Sequence, residues 1–163
     1  MLAVTHISQV LWEQFGINMT KEQQEAFDLI NNYRVSLGLF PCAFNTALAV
    51  VASIHVKEIS QAKLITDSSP VGTDYRQLAY DNGYSSLVNG VCCSIVNPLS
   101  AGKHLPHNGS VFFSLLQGSA PHESWLADRM NVQSEPGTGF HIKHMAVDNI
   151  GGFWTVVMGN GDN

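Results

Sequence analysis

Between Lys21 and Leu37 the apolar positions Ala26, Ile30, Tyr33 and Leu37 recur at helical spacing, and Thr20 with Gln23 three residues later forms a capping box. The pattern predicts a first helix over about Lys21 to Leu37. Gly38 suits the left-handed residue that ends a helix, and Pro41 pushes Phe40 toward extended geometry, so a hinge follows. Asn45 is placed to cap a second helix, on which Leu48, Val51, Ala52, His55 and Ile59 fall at i, i+3, i+4, i+7 and i+11. His55 is therefore on the buried stripe. A ring in that position is expected to be a neutral core histidine with both nitrogens hydrogen-bonded.

The run from Asp67 to Thr73, with Ser68, Ser69, Pro70 and Gly72, is turn-forming, and a short helix is predicted over Asp74 to Asp81, closed by Asn82-Gly83. Leu87 to Val96 is apolar and β-branched, fitting a buried strand or a helix equally well. Asn97 to Gly109 reads as loop, and Val111 to Leu116 as the start of another helix. Near the end, His141 to Val147 is followed by the turn Asp148 to Gly152 and then FWTVVMG, the pattern of a β-hairpin ending in a core strand. Helix, helix, mixed middle, helix and strands together predict an α+β domain, with helices packed on an antiparallel sheet. The domain is expected over 21–160, with an N-terminal extension over 1–20 and a tail over 161–163.

Composition narrows the function classes. A chain of 163 residues, 45% apolar, can form one domain with a real core. Its formal charge is −5 and its lysines and arginines are scattered singly, which argues against a nucleic-acid surface or an anionic-membrane anchor. No apolar run approaches the ~20 residues of a membrane span. The charged fraction is 13%, about half the ~25% of average domains, and such a surface favours self-association or packing into an assembly.

The opening MLAVTHISQVLWEQFGIN lacks a basic n-region, an unbroken apolar stretch and a cleavage site, so it does not read as a signal peptide; the chain is cytosolic or its leader has been removed. The sequons Asn18-Met19-Thr20 and Asn108-Gly109-Ser110 permit a secreted reading. Cys42, Cys92 and Cys93 are too few for a disulfide framework, and one bridge from Cys42 to either neighbour competes with buried free thiols.

Ile30-Asn31 with Arg34, then Gly38-Leu39, Phe44-Asn45 and Leu48 through His55, resemble the CAP superfamily, which groups cysteine-rich secretory proteins, antigen 5 and plant pathogenesis-related proteins. Tyr75-Arg76 with Gly83-Tyr84 resembles a segment of its bacterial members. Ser119-Ala120-Pro121-His122 is similar to the family's S-P-G-H turn, Gly137-Thr138-Gly139 to its G-V-G strand, and Phe153-Trp154-Thr155 with Met158-Gly159 to its closing strand. The resemblance runs from about Glu22 to Gly159. It implies an α-β-α sandwich, usually extracellular, with a cleft that holds two histidines and two acidic residues in many members.

Three of those four cleft positions depart from the pattern. The first histidine should fall near Ser68 or Ser69, the carboxylate after Gly83-Tyr84 meets Asn89-Gly90-Val91, and the second acidic position lies among Leu115 to Gly118. His122 remains. One imidazole cannot supply the three or four ligands a divalent cation needs, so no metal and no cofactor are expected.

Other constellations are weaker. His122-Glu123 opens like H-E-x-x-H, but Leu126 stands where the second ligand belongs. His104 and His107 have His-x-x-His spacing in a Gly/Pro loop, and His141 and His144 would point to opposite faces of a strand. Cys92 and Cys93 sit in apolar surroundings that favour inert thiols. Gly137-x-Gly139 lacks the context of a phosphate cradle. Trp12, Phe15, Phe112, Phe113, Trp125 and Phe153 could line an apolar groove, though most belong in a core.

The expectation is a non-catalytic extracellular binding or assembly module, with His122, Glu123 and His55 as cleft or binding residues. Its partner would be a protein or a second copy, not nucleic acid. A carrier of a sterol or fatty acid is the first alternative, and a metal-dependent hydrolase built on His122 the second.

Overall fold

The computed structural model describes residues 19–84, 92–94, 108–128 and 141–161. Helix α1 spans Lys21–Ser36 and opens on a complete capping box. The Gln23 N–H donates to Thr20 Oγ1 at 3.2 Å, and the Thr20 N–H to Gln23 Oε1 at 3.1 Å. After the hinge, in which Gly38 takes a φ of +81°, comes the two-residue strand β1 (Ala43–Phe44). Helix α2 (Thr46–Ala62) is capped by Asn45, whose Oδ1 accepts from the Leu48 N–H at 3.1 Å. Helix α3 (Tyr75–Asp81), strand β2 (Cys92–Ser94), helices α4 (Gly109–Gly118) and α5 (Ala120–Leu126), and strands β3 (His144–Ile150) and β4 (Phe153–Gly159) complete the order.

The sheet runs β1-β3-β4-β2. β3 and β4 form the expected hairpin, turning at Gly151-Gly152, and β2 pairs antiparallel with β4 through Cys93 and Val157. The fully antiparallel sheet read from the sequence is corrected at one edge: β1 runs parallel to β3, with Ala43 beside His144. Parallel neighbours need a long crossover, and here most of the chain lies between the two strands. This order also rules out a bridge from Cys42 to Cys92 or Cys93. Cys42 adjoins β1 at one edge and the pair lies on β2 at the other, three spacings of about 4.8 Å apart, twice the reach of about 7 Å between the Cα atoms of a disulfide. Cys42 is a buried free thiol, and burial raises its pKa to about 12 although Arg34 pulls it down.

Alternation along the hairpin sends side chains into two separate cores. Met145, Val147, Trp154, Val156 and Met158 pack under α1, α4 and α5, against Ala26, Phe27, Ile30, Phe112 and Leu116. Phe112 stacks on Trp154 with ring centroids 5.0 Å apart. Ala146 and Val157 face the other way, into Leu48, Val51 and Ala52 of α2 and Ala79 of α3. Helix, sheet and helix thus form three layers, as the resemblance implies. The α1–α4 contact is close: a methyl group on Gly109 would overlap the Glu22 carbonyl and the Ala26 backbone.

Two buried polar residues of α1, Asn31 and Arg34, hold the hinge. The Asn31 carboxamide accepts from the Cys42 N–H at 2.7 Å and donates to the Cys42 carbonyl at 3.0 Å. Arg34 is 1% exposed and places all five N–H donors. Nε donates to the Phe40 carbonyl, the terminal nitrogens to the Leu126 and Ile142 carbonyls, and both terminal nitrogens to Asp128 at 2.8 and 3.2 Å. This fork joins α1, the hinge, the end of α5 and the entry to β3, which is the physical content of the I-N-x-x-R pattern. Asp128 meets it from a left-handed conformation, φ +56°.

Candidate functional site

The richest polar cluster lies on the α2 face of the sheet. His55 is fully buried; its Nε2–H donates to the Thr66 carbonyl at 2.9 Å, and its Nδ1 accepts from the Thr155 hydroxyl at 3.1 Å. The carbonyl can only accept, so the ring carries a proton on Nε2, and the Thr155 hydroxyl is placed to donate to Nδ1 of the neutral ring. Burial lowers its pKa, against the pull of the Thr66 carbonyl and the Asp67 and Glu58 carboxylates. The Tyr75 ring lies 4.7 Å from the imidazole.

One turn along α2, the Glu58 carboxylate accepts hydroxyl hydrogens from Ser69, Thr73 and Tyr75. Burial would raise its pKa, but the three hydroxyls and nearby His55 outweigh that and lower it. The loop between α2 and α3 is therefore fastened to the helix by one imidazole and one carboxylate.

His122 and Glu123 lie on the other side of the sheet, on α5. His122 Nδ1 and Ser119 Oγ are 2.7 Å apart, and Glu123 accepts from the Tyr33 hydroxyl at 2.6 Å, joining α5 to α1. Both residues are partly exposed. Of the three residues named from the sequence as cleft or binding residues, His122 and Glu123 lie together on α5 and His55 lies apart beneath α2.

The remaining histidines separate as well. His144 is buried and its Nδ1 shares a hydrogen bond with the Tyr84 hydroxyl at 3.0 Å, whereas His141 is exposed and 3.4 Å from Asp128. His104, His107 and Gly137 to Gly139 lie outside the described residues, as do Trp12 and Phe15. Among the described residues no group of three or more His, Cys, Asp or Glu side chains is placed to hold a metal ion.

Phe112 of the aromatic set is core, while Phe113 and Trp125 pack partly buried at its margin. A separate cavity of about 450 Å³ lies at the hinge, lined by Leu39, Phe40, Pro41 and Ile142 over the Arg34–Asp128 pair. Neither this cavity nor Glu58 emerges from residue spacing. The hydroxyl-rich run from Ser68 to Tyr75 was the available clue to Glu58, because four hydroxyls after a helix imply an acceptor nearby.

Comparison with known proteins agrees with this architecture. The family model described as CAP, the cysteine-rich secretory protein family, matches residues 27–146. A solved structure, the 1.5 Å crystal structure of an extracellular protein containing an SCP domain from Bacillus anthracis str. Ames, superposes with a TM-score of 0.62 at 16% identity. The match covers 88% of this chain and 45% of that one, so the chain spans less than half of its structural relative. No curated protein sequence matches significantly.

Proposed function

The chain belongs to the CAP family of cysteine-rich secretory proteins, and from that premise we propose that it is a non-catalytic, extracellular binding or assembly module. The observation that carries this reading is how the reactive side chains are used. Both nitrogens of His55, the carboxylate of Glu58 and every donor of Arg34 are bonded inside the fold. Outward-facing positions include Phe40 at 89% exposure and Val71 at 72%. Surfaces of that kind contribute to recognition through apolar contact rather than bond chemistry. The extracellular assignment draws on the relative whose own description is extracellular.

His122 and Glu123 serve this module as partly exposed contact residues on α5, and His55 as a residue of the fold. The carrier reading has its own support in the hinge cavity, whose volume is within the range of small-molecule sites.

Native mass spectrometry of protein from its natural source tests both readings. An integer multiple of the subunit mass, or a second polypeptide, is expected; a lipid-sized addition selects the carrier. A stoichiometric divalent ion accompanied by hydrolytic turnover overturns the non-catalytic reading, and a bare monomer overturns both. His122→Ala should leave stability within about 0.5 kcal/mol, as surface changes do, while weakening the complex seen in that spectrum. An unaltered complex removes His122 from the contact.

A further inference from the structure

The loop from Thr66 to Asp74 is held to α2 in an unusual way. Its Thr66 carbonyl takes the proton of a buried imidazole, and its Ser69 and Thr73 hydroxyls, with Tyr75 at the start of α3, converge on a single carboxylate. Apolar anchoring within the loop is slight: Val71 is 72% exposed, and the apolar contact lies just before it, where Ile65 packs partly buried on Val56 and Ile59 of α2. Local hydrogen bonds shape the loop itself, among them those from the Ser68 N–H to Thr66 Oγ1, from the Val71 N–H to Ser69 Oγ and from the Gly72 N–H to the Ser69 carbonyl. Two titratable side chains one helical turn apart thus tie the loop to α2.

We propose that residues 66–74 form an acid-released strap, undocked from α2 by protonation of His55 first and of Glu58 at lower pH, while the three-layer sandwich stays folded.

Each attachment responds to a proton in the same sense. The imidazole already uses Nε2–H on Thr66, so a second proton goes to Nδ1, which now accepts from Thr155. The Thr155 hydroxyl must then reverse, and a cation is left under a tyrosine ring in a fully buried site. Undocking the loop lets water reach that cation. Protonated Glu58 becomes a donor on one oxygen and cannot accept from all three hydroxyls as before.

The charged groups around the ring are few. α2 contributes Glu58 and the loop Asp67; α3 presents Tyr75. On the strands, Thr155 is uncharged, and the carboxylate of its cross-strand neighbour Asp148 accepts from Gln23 at 2.9 Å. Glu58 and Asp67 are the anions that would hold an imidazolium in place, and acid neutralises the first of them. The core under α1, α4 and α5 contains none of these groups, and the core under α2 and α3 shares only Tyr75 with them, so both keep their apolar contacts when the strap leaves.

Release of the strap does not depend on what the module binds. Its test is two-dimensional amide NMR of the intact chain between pH 7.5 and 3.5, with histidine ring carbons followed in parallel and near-ultraviolet circular dichroism reporting the cores. Amides of 66–74 should broaden or shift toward disordered positions with the His55 titration, well above the pH at which the cores melt. His55→Gln should move the midpoint of release to a proton concentration at least tenfold higher, and Glu58→Gln should loosen the strap already at pH 7.5. Loop amides that stay native until the cores unfold overturn the proposal. Release that persists unchanged in both variants overturns it too. Should His55→Gln fail to fold, the histidine ring titration of the parent chain against its loop amides decides the question alone.

Discussion

The two faces of the sheet are built on different chemistry. Under α1, α4 and α5 lies a continuous apolar core with stacked Phe112 and Trp154, edged by Arg34 whose partner Asp128 is only 5% exposed. Under α2 and α3 the apolar patch is smaller, and His55, Thr155 and Glu58 occupy the space beside it. Apolar burial and a permanently charged guanidinium respond little to pH near neutrality. Imidazole and carboxylate bonds respond strongly. One face therefore sets how stable the domain is, and the other sets the conditions under which it stays closed.

The sharpest way to break this contrast is Arg34→Ala. Removing the guanidinium strands a buried carboxylate and three carbonyls, which should cost about 3–5 kcal/mol in urea unfolding. A loss below about 1 kcal/mol would mean that the fork is ornamental. Phe112→Ala should cost about 3–5 kcal/mol, as large-to-small core changes of an aromatic do, and should leave the pH profile of stability parallel to that of the parent. A changed slope would show that the faces are coupled.

The pH profile itself sharpens the comparison. His55 titrates below its ordinary value near 6.5 in the folded protein, so below that pH the unfolded chain binds more protons and stability falls. Glu58 is lowered too and adds a further loss below about pH 4.3. Asp148 is raised by burial despite bonds from the Asn149 N–H and Gln23, so its contribution is complete at low pH and fades as pH rises through the carboxylate range, partly opposing Glu58. Chemical unfolding at pH 7.5, 6.0 and 5.0 should show a steady decline that His55→Gln flattens. A smaller effect is expected of Asn45→Ala, which removes the α2 cap for about 1 kcal/mol with no pH dependence between 5 and 8.

What could be read from the chain follows the range of each interaction. The Thr20 and Gln23 box, the Asn45 cap and the Gly38 hinge are set by neighbours a few positions apart and stand where the pattern put them, and the final hairpin does so with a tighter turn, Asp148 to Ile150 belonging to β3. His55 was legible as a bonded core residue because helical spacing placed it on the buried stripe, but Thr155, one of its partners, is 100 positions away. β1 escaped the reading because two residues carry no periodicity, and its parallel direction depends on a strand near the other end of the chain. Asp128 is 94 positions from Arg34 and sits beyond the resemblance's recognisable S-x-x-H turn, so nothing local announces the pair. His122 and Glu123 were named with His55 as cleft or binding residues, and their distance from it depends on the layering of helices across the sheet, which residue spacing does not carry.

Asn31 has one more effect, on how copies of this chain behave when crowded. The outer margin of a sheet ordinarily offers amide and carbonyl groups as a template for a stray segment. Beside β1 the Cys42 pair is already occupied by a carboxamide fixed on α1. A segment arriving there finds no free rung at Cys42, which guards the molecule against fibre-like stacking without a charged or proline residue at that position.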